Sequence, residues 1–501
     1  MMTIPRAIVV AACPDGLDFE QVQILVRHGE RTPIQPRFQN TGLSPHWPYC
    51  SAAQRFSQAV MSAQDGSKWE TMPWKRRLET SGPDGQSIPA QGPGGETSSN
   101  MCMPGELTDK GRETTLAFGK WLRRVYVDQL CLLPKHLNDA KMVYARTTEI
   151  PRVVESVQQI LHGLYPSGTN QTGTPWDIAV RSRADETLLP SKRHCARLAE
   201  LARDFSQAAA TKWNESDDMN YLSKKLGKWM PSNKALTVDS QPPLSAVMDS
   251  INATLAHGPD TRLPDEFYDE RVRKAIDHIV LSEKFGGYGV SRELRMLGTG
   301  QLMGGIVLKM VDQAEWNRRQ PMSQSPNAQS NAPPRLSLLG CHDTTIGRVL
   351  ASLGCLDGCE KWPPFTSHIS FELFRKKRAP SPKGDDIGGR WLWKSATTSL
   401  LSSQRDAGRP CENERRVAKQ LMTQETQGLE EYFVRVVYND RIMTIPGCRA
   451  EGKHLDGDTS ICTLSAFKSI IDKFTPVNWI YACNSNLGAL SATRGNEPAG
   501  F

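Results

Sequence analysis

A histidine flanked by arginines stands at the end of the first β-forming run of the chain. The run 23–26 is followed by Arg27, His28 and Gly29, and Arg31 comes three residues after the histidine. A neutral imidazole is a nucleophile, and a planar guanidinium group donates hydrogen bonds in a geometry that suits phosphate oxygens. The histidine and its two arginines therefore indicate nucleophilic attack on a phosphorylated substrate. Taken alone, it fits an exposed strand end with a surface histidine equally well.

A second group of cationic side chains lies where another short strand meets a helix. The strand predicted for residues 142–145 ends at Arg146, and Pro151 and Arg152 begin an amphipathic helix that Pro166 is predicted to end. The positive end of a helix dipole and two guanidinium groups together favour a bound anion. The alternative is that these arginines pair with carboxylates at the surface.

The third motif is the pair His342 and Asp343. It follows the apolar strand predicted for residues 336–341. Thr344 and Thr345 are predicted to cap the helix that comes next. Parallel strands present their carboxyl ends at one edge of a sheet. We therefore expect this pair to meet the two arginine groups at that edge.

Phosphoryl transfer from a monoester needs both charge compensation and a proton donor. A phosphate monoester carries nearly two negative charges, which several arginines offset, and a neutral nitrogen nucleophile avoids further repulsion. The leaving alcohol needs a proton, and Asp343 is the carboxylic acid of these motifs placed to donate it. Glu30 is the competing carboxylic acid, and we expect it to orient a neighbour rather than to donate the proton.

The segments between the motifs predict a large α/β domain with long insertions. At 501 residues, with 39 glycines and 33 prolines, the chain exceeds the size of one uniformly compact core. Residues 191–288 carry a helical pattern, which predicts a helical cap over the strand ends. Segments rich in proline, serine and glycine are predicted to be irregular or disordered, at about 75–102, 319–334 and 376–429.

Composition and charge narrow the class of protein. A formal net charge of +7 without a long basic block favours small anionic partners over nucleic acid. No apolar run has the length of a transmembrane segment, and the run 8–12 is too short for a signal-peptide core. We therefore expect an intracellular, cytoplasmic protein. The 12 cysteines fit disulfides or reduced thiols equally, and none has metal-site spacing. Cys448 and Cys462 flank a loop and are predicted to pair only in a secreted protein.

The first motif resembles a known phosphatase signature. Residues 27–33, Arg-His-Gly-Glu-Arg-Thr-Pro, are similar to the RHGxRxP motif of the histidine acid phosphatases, a branch of the phosphoglycerate-mutase-like superfamily. His342 and Asp343 resemble the C-terminal HD pair of that family, and Arg152 matches its second-motif arginine. The similarity continues through three further segments, at residues 105–108, 186–190 and 371–374.

The resemblance implies a fold, a reaction and a role for each motif residue. The fold is a mixed α/β sheet with helices on both faces and a mostly helical cap, in one catalytic domain over residues 1–501. Its α/β core lies at about 18–33, 104–190 and 289–480. The reaction is hydrolysis of phosphate monoesters through a phosphohistidine at His28, with Asp343 as proton donor and without a metal or other cofactor. Four side chains hold the phosphoryl oxygens, namely Arg27, Arg31, Arg152 and His342.

Two other functions fit the same residues. One is a mutase or sugar-phosphate phosphatase of the same superfamily, in which a glutamate donates the proton. The other is a catalytically inactive module that holds an anionic ligand or partner in the arginine pocket, which the intact motif residues disfavour. The expected partner is a small phosphorylated molecule, such as a lysophospholipid or a sugar phosphate. The HD pair, in place of the HAE arrangement common in phytases, disfavours inositol hexakisphosphate. The sequence leaves the oligomeric state open.

Overall fold

The computed structural model describes residues 13–231, 235–319, 332–356, 361–377, 428–489 and 497–501. Within these ranges the strands are β1 (Leu17–Arg27), β2 (Phe56–Met61), β3 (Trp69–Trp74), β4 (Glu79–Ser81), β5 (Ser87–Pro89), β6 (Val143–Thr147), β7 (Ile178–Val180), β8 (Leu336–Cys341), β9 (His368–Lys376), β10 (Tyr432–Tyr438), β11 (Arg441–Met443), β12 (His454–Leu455) and β13 (Asp458–Thr463). The α-helices are α1 (Asp109–Leu122), α2 (Pro151–Leu164), α3 (Ala196–Trp213), α4 (Asp217–Leu226), α5 (Leu244–Leu255), α6 (Glu270–Val290), α7 (Arg292–Arg295), α8 (Gln301–Arg319), α9 (Asp343–Ser352), α10 (Leu464–Asp472) and α11 (Trp479–Cys483).

A mixed sheet of nine strands lies at the centre of the described part of the chain. Its order is β12-β13-β10-β9-β1-β8-β6-β7, with β11 paired to β10. The neighbours β1, β8 and β6 run parallel, and β9 is antiparallel to β1 on its other side. Arg27 lies opposite Cys341, and Thr147 lies opposite Gly340, so the three strands end close together. The three sequence motifs therefore meet at one edge of the sheet, as expected for parallel strands.

Helices cover both faces of this sheet because side chains alternate along the strands. In β1, Val22, Ile24 and Val26 point to the face on which α1 and α2 pack, and Leu25 points to the face covered by α8, α9 and α10. Burial of these apolar layers supplies the main stabilising free energy of the core. The predicted mixed sheet with helices on both faces is confirmed.

A further layer of helices lies at the edge where the motifs meet. Helices α3 to α6 have their own apolar core and occupy the range for which the helical cap is predicted. Asp249 of α5 contacts Arg31, and Phe285 of α6 stacks on Trp362 with 5.0 Å between the ring centroids. The layer therefore contributes side chains to the surroundings of the motif residues.

The segment at 75–102 differs from the flexible loop that its composition predicts. Strands β4 and β5 pair as a short antiparallel ribbon, and Cys102 forms a disulfide with Cys50. Arg76 also pairs with Glu106, at 2.7 Å. This prediction is corrected, because backbone pairing and a crosslink order a segment that has few apolar side chains. Composition records neither of these interactions.

The two other predicted insertions, at about 319–334 and 376–429, fall largely outside the described residues. The strands that flank the second insertion are nevertheless neighbours in the sheet. Strand β9 pairs antiparallel with β10, with Arg375 opposite Tyr432 and Ile369 opposite Tyr438. The long insertion therefore leaves the pairing of these two strands intact.

Three disulfides crosslink the described residues, joining Cys50 to Cys102, Cys195 to Cys483, and Cys448 to Cys462. The last is the pair predicted for a secreted protein. Disulfides persist in oxidising compartments and are rare in the cytosol. They weigh against the cytoplasmic location expected from the sequence, which stays a prediction. None of the helices in the described ranges combines the length and apolar character that a bilayer crossing requires.

Candidate active site

Backbone hydrogen bonds fix His28 at the end of β1. The His28 N–H donates to the carbonyl oxygen of Cys341 (3.2 Å), and the His28 carbonyl oxygen accepts from the N–H of Thr366 (3.2 Å). His28 as a whole residue is 2% exposed. His28 is therefore a buried histidine on the central strand, and the alternative of a solvated surface histidine is excluded.

The imidazole of His28 is held in one orientation and kept neutral. Its Nδ1 lies 2.9 Å from the carbonyl oxygen of Gly29, which can only accept, so Nδ1 carries the proton. The Nε2 atom of the neutral ring then keeps its lone pair. Burial, and after it the charge of Arg27, lowers the pKa of His28 well below its ordinary value of 6.5. A nucleophilic nitrogen is therefore present at neutral and at moderately acidic pH.

Gly29 lies where the chain after His28 comes very close to helix α1. A Cβ atom at Gly29 would lie 2.4 Å from the carbonyl oxygen of Gly111, and one at Gly111 would lie 2.2 Å from the carbonyl oxygen of Glu30. The chain after His28 thus packs backbone to backbone against the first turn of α1. A side chain at either glycine would push the motif away from that helix.

Arg27 joins the first motif to the third. Its Nη2 lies 2.8 Å from Oδ2 of Asp343, and its Nη1 donates to the carbonyl oxygen of Pro363 at 2.6 Å. The guanidinium carbon lies 4.1 Å from the ring centroid of Phe365, a cation–π distance. Arg27 is therefore locked in place beside His28 by partners on two other segments.

Arg31 is held by a carboxylate that the sequence motifs do not include. Its Nη2 donates to Oδ1 of Asp249 at 2.6 Å, and its Nη1 donates to the carbonyl oxygen of Thr32 at 3.0 Å. Asp249 lies on α5, 218 residues along the chain. A single aspartate in a long helical region carries no motif signal, so only the folded chain reveals it.

Among the residues that the structure describes, Arg152 is the cation of the site without a carboxylate partner. It follows Pro151 at the start of α2, where its Nη1 lies 3.4 Å from the carbonyl oxygen of Gly105. Within the described ranges, no carboxylate oxygen lies within 4.0 Å of its guanidinium nitrogens. Burial, followed by the charge of Arg31, lowers the pKa of Arg152 to about 10, so it remains protonated at neutral pH. A half-buried guanidinium group that has no carboxylate partner in the described part of the chain is a natural site for an anion.

His342 faces His28 across the strand ends. The two ring centroids are 5.6 Å apart, with an interplanar angle of 70°. The Nε2 of His342 lies 3.1 Å from Oγ1 of Thr148, and burial and the charge of Arg152 lower its pKa to about 3. His342 is thus neutral over the physiological range and acts through hydrogen bonds.

The helix after His342 starts differently from the prediction. His342 itself is the N-cap residue, α9 begins at Asp343, and Thr344 and Thr345 lie inside its first turn. The Thr345 hydroxyl donates to the carbonyl oxygen of Leu188 at 2.6 Å. The prediction that the threonines cap the helix is wrong. The Thr345 hydroxyl is instead hydrogen-bonded to a distant segment of the chain.

Asp343 is an ionised carboxylate beside the nucleophile. Its Oδ2 accepts from Arg27 and from the indole N–H of Trp362 (3.2 Å), and its Oδ1 accepts from the N–H of Thr344 (2.7 Å). Burial acts to raise the pKa of Asp343, but the charges of Arg27 and Arg31 outweigh it, and the pKa lies below its ordinary value. Trp362 is a second contact that the sequence did not reveal.

Two further residues of the motifs lie outside this cluster. Arg146 forms a buried ion pair with Glu186 and donates to Oγ1 of Thr187 at 3.0 Å. The Glu30 carboxylate accepts a hydrogen bond from the hydroxyl of Thr114, on α1. Arg146 is therefore tied to its own counter-ion, and Glu30 is turned towards a helix rather than towards His28.

The collected charges favour a phosphoryl group. The site contains three guanidinium groups, from Arg27, Arg31 and Arg152, and two carboxylates, from Asp249 and Asp343. Both histidines are neutral, so one positive charge remains in a buried space. A neutral nucleophile, surplus positive charge and a neighbouring carboxyl group are components that suit phosphoryl transfer to a protein side chain.

Known proteins resemble this chain over most of its length. The family model of the histidine phosphatase superfamily (branch 2) matches residues 18–439. The chain is 33% identical over 473 residues to a probable acid phosphatase of Schizosaccharomyces pombe, covering 94% of this chain and 95% of that protein. It is 25% identical over 373 residues to the human lysophosphatidic acid phosphatase type 6, covering 72% and 74% of the two chains.

A solved structure shares the fold at low sequence identity. The apo form of Hafnia alvei phytase aligns with a TM-score of 0.50 at 13% identity, covering 94% of this chain and 99% of that one. The family model spans most of the chain, and the fission-yeast relative matches it almost from end to end. The chain therefore belongs to the histidine phosphatase superfamily, branch 2.

Proposed function

We propose that this protein is an acid phosphatase that hydrolyses phosphate monoesters through a phosphohistidine at His28. The observation that carries the proposal is a buried, neutral His28 with a free Nε2 lone pair, next to a surplus positive charge. Relatives named as acid phosphatases, among them the one from fission yeast, support it.

Substrate binding places the phosphoryl group among the three guanidinium groups of the site. The phosphoryl oxygens accept hydrogen bonds from Arg27, Arg31 and Arg152, and a neutral His342 donates another from its ring N–H. Because these groups are already fixed by protein partners, little reorganisation accompanies binding. The phosphorus atom is then presented to Nε2 of His28.

The first chemical step transfers the phosphoryl group to His28. A bond forms between Nε2 and phosphorus, and the bond from phosphorus to the leaving oxygen breaks. The proton of Asp343 passes to that oxygen, and the alcohol departs. The bound phosphate offsets the charge of Arg27, so the pKa of Asp343 rises in the complex, and the donor is protonated more readily at acidic pH.

The second step releases inorganic phosphate. A water molecule enters the position of the alcohol, and the Asp343 carboxylate accepts a proton from it as its oxygen attacks phosphorus. The phosphorus–nitrogen bond breaks, and the electron pair returns to His28. Asp343 is again protonated and His28 again neutral, so the cycle closes without a cofactor.

The pH dependence of kcat/KM should lack an acid limb near the ordinary histidine pKa. Attack requires neutral His28, and a pKa well below 6.5 keeps it neutral as the pH falls. We expect kcat/KM, corrected for substrate ionisation, to be level or rising from about pH 7 to about pH 5. A steady-state pH profile with p-nitrophenyl phosphate measures this. A tenfold loss across about one pH unit centred near 6.5 would contradict a neutral, buried nucleophile.

The mouth of the site favours a leaving group with an apolar part. Ile34 follows the first motif and is 42% exposed, and Met103 is 43% exposed on the neighbouring segment. We call Arg27, Arg31 and Arg152 the phosphate clamp. Both apolar residues lie near it, because Ile34 and Arg152 border the same glycine, Gly105, and the carbonyl oxygen of Met103 accepts from the Thr32 hydroxyl at 2.8 Å. We propose amphiphilic phosphate monoesters of the lysophospholipid class as preferred substrates, which the relatives named as lysophosphatidic acid phosphatases support.

A pair of substrates tests this preference. Lysophosphatidic acid with a short acyl chain, kept monomeric, should have a higher kcat/KM than glycerol 3-phosphate. The double variant Ile34→Ser and Met103→Ser should lower that ratio about tenfold, because it removes apolar contact worth about 1.4 kcal/mol. Ile442→Ser, at an apolar residue that is 39% exposed on β11, is the matched control. An unchanged ratio in the double variant would refute the proposed preference.

A further inference from the structure

We propose that Asp249, on the cap helix α5, is a positioning residue for the phosphate clamp. It sets the orientation of Arg31 and couples the helical cap to the reacting groups. The inference rests on the proposed function, since it assigns Asp249 to the same site. It is independent of the motif residues, because Asp249 belongs to none of them.

Both oxygens of Asp249 hold the end of the first motif. Oδ1 accepts from Nη2 of Arg31 at 2.6 Å, and Oδ2 accepts from the backbone N–H of Ile34 at 3.1 Å. The side chains of Arg31 and Asp249 are 5% and 17% exposed. One carboxylate thus fixes a clamp guanidinium and the backbone that follows it, in a place where solvent screens the pair weakly.

Helix α5 is rigidly placed, so its carboxylate is a fixed reference point. Val247, Met248 and Ile251 are buried in the cap core on either side of Asp249. Beyond the helix, Nε2 of His257 lies 2.9 Å from Oγ1 of Thr108, which also donates to the carbonyl oxygen of Glu30. The α5 segment therefore contacts the core on both sides of Arg31.

The alternative partners of Arg31 are too few to orient it without Asp249. Its other hydrogen bond in the described chain runs from Nη1 to the carbonyl oxygen of Thr32, the next residue. Repulsion from Arg27 and Arg152 acts on the same guanidinium group. A displacement of about 1 Å in a group that contacts the transition state costs about 100-fold in rate.

Asp249 also limits the positive charge of the site. Its carboxylate acts on Arg27 and Arg152 as well as on Arg31. Removing this negative charge leaves two surplus positive charges in place of one. The larger positive charge stabilises ionised Asp343, so the proton donor loses its proton at lower pH. This electrostatic effect distinguishes Asp249 from a residue that merely supports the fold.

The test compares Asp249→Asn and Asp249→Glu with the wild type. For Asp249→Asn we expect kcat/KM for an alkyl phosphate to fall about 10- to 100-fold, and the alkaline limb of the kcat profile to move to lower pH. Asp249→Glu retains the charge and two acceptor oxygens, so it should restore the limb to its wild-type position. Asp265→Asn, at a cap aspartate that is 96% exposed, is the matched control and should change neither.

Several outcomes overturn the proposal. One is an unchanged kcat/KM in Asp249→Asn. Another is a loss of activity while the alkaline limb stays in place, which would show that Asp249 has only a structural role. Calorimetric titration with inorganic phosphate separates this result from failure of the proposed function. If the wild type binds phosphate without hydrolysing esters, phosphatase activity is refuted. The inference on Asp249 is then tested by the affinity for phosphate. Asp249→Asn must change this affinity by at least about threefold, and Asp265→Asn must leave it unchanged.

Discussion

Alanine in place of His28 should lower the turnover of p-nitrophenyl phosphate by roughly four to six orders of magnitude, as expected when a covalent nucleophile is removed. The structure offers no substitute nucleophile at the same place among its described residues. The facing imidazole of His342 contacts Thr148, and the guanidinium groups of Arg27 and Arg31 are held in ion pairs with Asp343 and Asp249. Loss of the His28 ring therefore removes the covalent pathway and leaves a pocket that still binds phosphate.

The experiment with His28→Ala measures the covalent phosphohistidine intermediate as well as the rate of turnover. Rapid quench of wild-type enzyme with labelled substrate should trap a phosphoryl group that is stable in alkali and labile in acid, and His28→Ala should trap none. His136→Ala, at an exposed histidine, should behave as wild type. Thermal unfolding and phosphate titration of His28→Ala verify that the pocket is intact. Label retained by the variant, or turnover within about tenfold of wild type, would place the nucleophile elsewhere.

The sequence predicted the local parts of the site because their signals are short-range. Apolar runs that end at a polar residue identified β1 and β8. A proline at the first helical position predicted the start of α2, which the structure places at Pro151. The rule that parallel strands end at one edge then brought Arg27, Arg152 and His342 together. No pairwise contact had to be known for this step.

The partners of these residues could not be predicted, since they come from distant segments. Asp249 contacts Arg31 across 218 residues, and Trp362 donates to Asp343 from a loop before β9. Neither residue has a spacing or a periodicity that distinguishes it from its neighbours in the sequence. Such contacts depend on how the cap and loops pack, which is a property of the whole fold.

Arg146 illustrates how similar local signals have different structural outcomes. Arg146 and Arg152 flank the same strand-to-helix junction, yet Arg146 pairs with Glu186 while Arg152 has no carboxylate partner among the described residues. The sequence left both interpretations open, an anion site and pairing with carboxylates. The position of Glu186 decided between them for Arg146, and here the ion pair is buried rather than at the surface.

Asp343→Asn should slow alkyl phosphates by about 100- to 10,000-fold, the range typical of general acid catalysis. p-Nitrophenyl phosphate should lose far less, because its leaving group departs without a proton. The amide of asparagine retains an acceptor for Arg27 and Trp362, so the clamp geometry is largely preserved. Steady-state kcat for a series of esters with increasing leaving-group pKa measures the effect as a steeper slope in the variant.

Glu30→Gln distinguishes Asp343 from the other carboxylate near the nucleophile. The Glu30 carboxylate is turned to the hydroxyl of Thr114, and burial raises its pKa, which is a property expected of a proton donor. Geometry nevertheless argues against Glu30, so Glu30→Gln should leave the leaving-group dependence unchanged. A steep dependence in Glu30→Gln with equal losses for all esters in Asp343→Asn would transfer the role of the acid to Glu30, as in the mutase-like alternative. With a steep dependence in Asp343→Asn alone, the HD pair supplies the proton.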